Sequence, residues 1–459
     1  MTVGLEDARP QMSGQLELLL EARGEAPHGQ RSVEASSAST ETKGSGASDL
    51  LNRALERENL QAALKRVRQN KGSPGIDGMT VEELPEYLLA NWPRLREEIL
   101  SGRYRPLAVK RQEIPKSGGG MRELGIPTVL DRFIQQALLQ VLQPLFDPNF
   151  SQHSYGFRPG RSAHQAVKAA QRYVQQGRRV VVDVDLSKFF DRVNHDVLMS
   201  KLAARIVDKT MLRLIRRYLE TGVMVHGVVV ERHEGTPQGG PLSPLLANVL
   251  LDEVDKELEQ RGHAFARYAD DCNVYVRSRR AGERVMRLLR RLFAGLRLRI
   301  NEEKSAVDSV FQRQFLGFSL WVAPGKDVKH RVSRKALGRM RDRVRQLTRR
   351  TRGRSMEQVA QDLRSYLTGW KAYFRLAETP GIFANLDQWI RHRLRAIQLK
   401  QWKRGRTIFR ELRSRGLSVD VAARVAGNAR RWWKNSALSI HAALPNSYFD
   451  KLGVPRLAA

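Results

Sequence analysis

Apolar residues recur at helical spacing along much of the chain, and short runs rich in β-branched and aromatic residues interrupt them. From about Leu50, "LLNRALERENLQAALKRVRQN" carries apolar positions every three or four residues, which predicts one amphipathic helix. "KGSPGIDG" breaks it with Gly, Pro and Asp. A helix end and a hairpin around Gly118 to Gly120 follow, then "LDRFIQQALLQVLQPLF", a predicted helix stopped by Pro144. Residues 178–186 read as a buried strand with Val181, Asp183 and Asp185 on one face and Val180, Val182 and Val184 on the other. A helix from about Val197, a hairpin over 222–235 and a long helix from Ser243 come next. Phe265–Tyr268 and Asn273–Val276 read as two strands with Asp270 and Asp271 at the tip between them. A helix over 281–298 and a strand over 314–322 precede a pattern that is helical and basic from Ser333 almost to the end. No internal repeat is present. The order predicts an α+β domain followed by an all-helical one. Glu25 to Ser48 is rich in Ser, Gly, Thr and Glu, so residues 1–49 are expected to be a disordered, acidic, low-complexity extension.

At 459 residues the chain exceeds one ordinary core, and two or three domains are expected. The net charge of +32 changes the picture more. Residues 1–50 hold 4 Lys/Arg against 8 Asp/Glu, whereas 326–459 hold 32 against 9. A polyanion, most simply nucleic acid, is the expected partner, and the C-terminal part concentrates the field that would attract it. The single cysteine, Cys272, argues against a disulfide framework or a multi-cysteine zinc module and for a reducing compartment; it reads as a small packed side chain. No apolar run of about 18 residues suggests a membrane span, and no secretory signal is evident at the N-terminus.

If the strand over 178–186 lies beside the hairpin over 265–276, Asp183, Asp185, Asp270 and Asp271 converge. Such a cluster binds hard divalent cations through oxygen. Two ions held there could stabilise the attacking and leaving oxygens of an in-line phosphoryl displacement. Adjacent Asp residues are also favoured in turns for conformational reasons alone, so the residues by themselves leave a solvated turn open.

"YADD" (Tyr268 to Asp271) resembles the signature of reverse transcriptases, and "DLSKFFD" (Asp185 to Asp191) resembles the first catalytic block of their palm. "NKGSPGIDG" (Asn70 to Gly78), "SYGFRPGRS" (Ser154 to Ser162), "TPQGGPLSPLLANVLLDEVD" (Thr236 to Asp255), "INEEKS" (Ile300 to Ser305) and "QFLGF" (Gln314 to Phe318) match further blocks in order. From Tyr366 to Arg404 the chain resembles a maturase, thumb-like X domain, and "RWWKNS" and "ALPNSYFDKLG" resemble its closing part. Together these are similar to group II intron-encoded reverse transcriptases, and to their shorter bacterial forms without a His-Asn-His endonuclease. The resemblance implies a right-hand polymerase, with fingers and palm over 50–325 and a basic helical thumb and X domain over 326–459. It implies an RNA-directed DNA polymerase that assists splicing of an intron RNA and supports intron mobility by target-primed reverse transcription. A splicing-only maturase and a reverse transcriptase of another lineage are the alternatives. Implied partners are the group II intron RNA, a DNA target or primer and deoxynucleoside triphosphates, with no membrane. The implied location is the bacterial cytoplasm, on the nucleoid when acting on DNA.

The same resemblance implies site residues. Asp185, Asp270 and Asp271 would hold two Mg²⁺ ions; Asp183 competes from the same strand face, but the family spacing to Phe189, Phe190 and Asp191 selects Asp185. Phe190 would sit under the sugar, or else be a core aromatic. Gln238 would contact the incoming nucleotide, and Lys116 and Arg122 would grip its triphosphate. Lys304 would assist proton or phosphate handling. In the helical part, Arg391, Arg395 and Lys403 are candidate RNA contacts, with buried bracing of the helix as the structural alternative for the arginines.

Overall fold

A computed structural model of the chain describes residues 49–458, apart from 116–120, 226–227, 231–233, 237–238, 352 and 438. The expected N-terminal extension, the tip of the Gly118–Gly120 hairpin, Lys116 and Gln238 lie outside the described residues. Two compact units follow one another, divided between Arg313 and Gln314. Among the described residues no helix is long and apolar enough to cross a membrane.

Ten strands form three sheets among the described residues: β1 (Val109–Pro115), β2 (Met121–Ile126), β3 (Val180–Val184), β4 (Val223–Val225), β5 (Val228–Val230), β6 (Ala264–Tyr268), β7 (Asp271–Val276), β8 (Ala306–Ser309), β9 (Phe318–Val322) and β10 (Val328–Val332). In the first unit, one sheet has the order β2-β1-β4-β5 and the other β6-β7-β3-β8. The second of these positions the candidate site. β3 runs antiparallel to β7, with Val180 opposite Val276, Val182 opposite Val274 and Val184 opposite Cys272. Those side chains join a core that includes Val285, Met286 and Leu289 of the helix Arg279–Gly295. That helix sits close at Gly282, where a Cβ would come within 2.4 Å of Val307 and 3.5 Å of both Val182 and Val276. The alternate positions face the other way, and there Tyr275 packs on Tyr173 of the helix Ala163–Gln175 at 5.6 Å between rings. This sheet is therefore covered on both faces, which explains why β3 reads as an almost continuous apolar run.

Helix starts follow local chemistry. Thr128 caps the helix Val129–Phe146 through Asp131 N–H, and Ser162 forms a capping box with Gln165. Two expectations about helix ends are corrected. The predicted single helix from Leu50 is two, Leu50–Ala54 and Arg57–Gln69. The break is stabilised by Asn59, whose amide donates to the carbonyls of Ala54 and Ala137. Pro144 does not stop its helix, which runs on to Phe146. One backbone hydrogen bond is lost there, but the two further residues bring Phe146 into the core at 2% exposure.

The second unit is not all-helical. β9 and β10 pair antiparallel at its start, with His330 opposite Leu320. Phe318 is buried against Phe374 at 5.1 Å and Tyr373 at 5.7 Å, both at the end of the helix Met356–Tyr373 region. Gly317 adopts φ +79°, and a Cβ there would meet the Phe374 ring at 3.3 Å. "QFLGF" thus belongs to the core of the helical unit, and the division falls twelve residues before the expected 325/326. Helices Arg334–Leu347, Met356–Tyr373 and Pro380–Gln401 build most of the remainder.

Candidate active site

β6 and β7 form a hairpin in which Tyr268 pairs with Asp271, leaving Ala269 and Asp270 as the turn. Ala269 holds φ +56°, a left-handed conformation that costs a non-glycine residue about 1 kcal/mol. On β3 the ladder with β7 ends at Val184 opposite Cys272. Asp185 comes one residue after Val184 and Asp271 one residue before Cys272, so the two leave this pair of strands at the same end. The register therefore brings Asp185 to the turn that carries Asp270 and Asp271, on the sheet face away from the Val182 and Val274 core.

Electrostatics register the crowding. Burial pushes the Asp271 carboxyl up to about 7, reinforced by the charges of Asp270, Asp185 and Asp183 and opposed by Lys304. Water reaches this side chain, yet surrounding protein displaces enough of it for desolvation to lead. Lys304 Nζ lies 3.7 Å from Asp185 Oδ1. Its loop also clasps the Asp185 backbone: Asn301 N–H donates to the Asp185 carbonyl at 2.8 Å, and Asp185 N–H donates to Ser305 Oγ at 3.0 Å.

Asp183 is committed elsewhere. The Arg313 guanidinium contacts its Oδ2 at 2.6 and 2.8 Å and also donates to the Lys304 carbonyl. With the Asn273 amide turned to donate, it reaches Asp183 Oδ1 at 2.9 Å. Burial pushes the Asp183 carboxyl up, against the pull of Arg313. Two strand carboxylates that were equivalent by alternation are thus distinguished by their partners.

Carboxylate oxygens crowded enough to raise one member's pKa are the donor type that a hard divalent cation takes. As the side chains stand, no group of three His, Cys, Asp or Glu among the described residues is drawn tightly enough to ligate one ion. The donor set fits a divalent ion in the chemistry of its oxygens.

The remaining candidates divide. Phe190 is half-buried, with its ring edge-on to Phe189 at 5.0 Å, and its carbonyl accepts from Thr236 N–H at 2.7 Å. That bond joins the "FFD" turn to the segment that precedes Gln238. Arg122 lies on β2, its backbone opposite Ile114. Lys403 is exposed just past the helix Pro380–Gln401. Arg391 and Arg395 contradict the expectation of an RNA-facing surface, because each is only 2% exposed. Arg391 pairs with Asp450 at 2.9 Å and donates to the Val454 carbonyl. Arg395 donates to the Leu444 carbonyl and to Asn446, and burial with the Arg391 charge pushes its pKa down to about 10. Helical spacing alone did not distinguish these arginines from exposed ones, since the segment that covers them lies some fifty residues further on.

Sequence reasoning assigned no role to Arg267, Asp255, Asn248, Ser154 or Gly156. Arg267 is on the hairpin's first strand, and the other four pack against it or the turn. Asn248 and Asp255 are seven residues apart, two turns along one helix face, which was the available signal.

A family described as "Reverse transcriptase (RNA-dependent DNA polymerase)" matches residues 114–320. A second, "Group II intron, maturase-specific domain", matches 337–416. Protein YkfC of Escherichia coli K12 is 34% identical over 302 residues, 57% of this chain and 79% of YkfC. The group II intron-encoded protein LtrA of Lactococcus lactis is 36% identical over 213 residues, 45% of this chain but only 34% of LtrA. A putative COX1/OXI3 intron 2 protein of Saccharomyces cerevisiae is 30% identical over 209 residues, 44% of this chain and 24% of that protein.

The burial of Arg391 and Arg395 predicts a stability effect. Arg391→Met and Arg395→Met should each lower the melting temperature by roughly 5–10 °C, because acceptors inside the second unit lose their partner. Circular dichroism melting of the full chain checks this. Unchanged melting together with weakened RNA binding would return both side chains to the surface.

Proposed function

The chain belongs to the group II intron-encoded reverse transcriptase and maturase family, and from that membership we propose an RNA-directed DNA polymerase that also binds its intron RNA to assist splicing. The observation that supports the polymerase reading is the β3–β7 register, which ends at Val184 opposite Cys272, one residue short of Asp185 and Asp271, together with the mutual electrostatic influence of Asp185, Asp270 and Asp271. Asp185, Asp270 and Asp271 would hold two Mg²⁺ ions. When bound, such ions supply charge stabilisation for an in-line attack on the α-phosphate of a deoxynucleoside triphosphate.

The protein's own part is positioning. Lys304, beside Asp185, offers a cation for proton or phosphate handling. Phe190, five residues after Asp185, offers a ring against the sugar that disfavours a 2′-hydroxyl. Lys116 and Arg122 are the proposed grips on the triphosphate, and Gln238 the proposed contact to the incoming nucleotide. Arg313 keeps Asp183 out of the ligand set. Intron mobility by target-primed reverse transcription, with a DNA target or primer as partner, completes the reading, and the bacterial cytoplasm and nucleoid are its proposed setting.

With Arg391 and Arg395 inside the second unit, the RNA surface is sought among exposed cations. Lys403, Arg404 and Arg406 are exposed in succession where the helix Pro380–Gln401 gives way to Gly405–Ser414. Phosphate contacts by such side chains fix register on RNA and make affinity depend on salt.

Asp270→Asn should slow Mg²⁺-dependent extension of a primed RNA template by at least about 100-fold, whereas Asp183→Asn should cost less than about 10-fold. Near wild-type extension by Asp270→Asn would remove it from the site, and an equally dead Asp183→Asn would reverse the choice between the strand carboxylates.

Phe190→Ala should raise ribonucleotide relative to deoxynucleotide incorporation by roughly 10-fold or more in single-nucleotide kinetics. Unchanged discrimination would make the ring a core residue only.

Neutralising Lys403, Arg404 and Arg406 with Gln should reduce the log–log salt slope of intron RNA binding by about 2 to 3, since each lost phosphate contact removes roughly 0.7–0.9. Short-template extension should survive. A folded triple variant with an unchanged slope would move the RNA surface elsewhere.

A further inference from the structure

Arg267 lies on β6 opposite Cys272, on the buried face of the sheet, one residue before the turn-bearing Tyr268–Asp271 pair. It is 1% exposed, and Asp255 beneath it is 0% exposed. A charged pair this deep is costly unless its protons and lone pairs are all engaged. Here every guanidinium donor is used. Nε and Nη2 take both oxygens of Asp255 at 2.8, 3.0 and 2.5 Å. Nη2 also donates to Ser154 Oγ at 2.8 Å. Nη1 donates to Asn248 Oδ1 at 3.0 Å and to the Ala269 carbonyl at 2.9 Å.

The last of these bonds reaches the left-handed residue of the turn. Its opposite side is closed as well. A Cβ on Gly156 would lie 2.3 Å from Ala269 N and 3.0 Å from the Tyr268 carbonyl carbon, so only a glycine lets these backbones meet. The Gly156 carbonyl is in turn held by Asn248 Nδ2 at 2.9 Å, and Asn248 is fully buried. The segment before Gly156 is tied to the same strand: Arg267 N–H donates to the His153 carbonyl, and Tyr155 N–H to the Arg267 carbonyl, both at 2.9 Å. Ala269 is thus clamped between a guanidinium and a glycine backbone, and one asparagine holds both jaws.

We propose that Arg267 is a positioning residue for the catalytic carboxylates: anchored by Asp255 and Asn248, it fixes the Ala269 carbonyl, and with it the left-handed turn that presents Asp270 and Asp271 beside Asp185. The inference rests on the reading of these carboxylates as the divalent-ion site. An apolar pair of similar volume could fill the space at comparable stability. What it could not supply is a directed donor to Ala269 O, so the arrangement serves geometry as well as packing. A displacement of about 1 Å at a reacting centre costs on the order of 100-fold in rate, and loss of groups that orient metal ligands weakens metal affinity by about 10–100-fold.

The test compares wild type, Arg267→Lys and Asn248→Ala as full chains. Lysine keeps the charge against Asp255 but lacks the fork that reaches Ala269 O. Three readouts are taken: amide hydrogen exchange of the metal-free protein, Mn²⁺ binding by electron paramagnetic resonance, and primer extension. In folded Arg267→Lys, exchange at Ala269–Asn273 should rise at least about 10-fold while β8 stays protected. Mn²⁺ affinity should fall about 10-fold or more, and kcat about 100-fold. Native exchange at the turn and native Mn²⁺ affinity in folded Arg267→Lys would overturn the proposal. If that variant fails to fold, Asn248→Ala decides, because it leaves the Asp255 pair intact: loosened exchange confined to the turn supports the proposal, and wild-type exchange overturns it. Failure of wild type to bind Mn²⁺, or full activity of Asp270→Asn, would sink the metal-site reading itself. The exchange measurement on the metal-free protein would still report whether Arg267 holds the turn.

Discussion

Burying an arginine with an aspartate strips both of water, and the loss is offset only when direction as well as charge is satisfied. In the first unit that condition is met at Arg267, and meeting it joins three stretches of the chain. Asp255 and Asn248 come from the helix Ser243–Gln260, Ser154 and Gly156 from the segment before the helix Ala163–Gln175, and the Ala269 carbonyl from the hairpin turn. The turn conformation, the approach of the 153–156 backbone and the seating of the long helix are solved together. A change at any of them would be felt at Asp270 and Asp271.

On the opposite face of the same sheet the carboxylates are divided between two cations. Asp183 is paired with Arg313, whereas the exposed ammonium of Lys304 stands beside Asp185 and its charge also reaches Asp271. Arg313 also donates to the Lys304 carbonyl, so the contact that removes Asp183 from the cluster helps hold the loop that delivers Lys304 to it.

The second unit shows how a strongly basic chain can spend arginines on its own interior. Arg391 and Arg395 lie on one face of the helix Pro380–Gln401 and satisfy carbonyls and side chains of the last segment, from Leu444 to Val454. Arg393, between them, instead hydrogen-bonds Thr348 and stacks over Trp389. Net charge is therefore a guide to the partner class and a poor guide to which cations meet it.

The hydrophobic period, the turn chemistry and the ordered blocks sufficed for the strands around Asp185 and Asp271, the long helices and the family. These are local or near-local patterns: alternation fixes a strand face, and capping residues fix a helix start. Local pattern failed where long-range contact outweighs it. Pro144 signals a stop, but burial of Phe146 carries the helix past it. The 314–325 stretch reads as the tail of the first unit, but Phe318 finds its core against Phe374. Asp183 and Asp185 are equivalent by alternation, and Arg391 and Arg395 are indistinguishable by composition from surface cations. Only tertiary structure separates them, because the energy of a charged side chain is set by the partners that surround it, and those partners, Arg313, Lys304, Asp450 and Asn446, lie from about fifty to more than a hundred residues away in the chain.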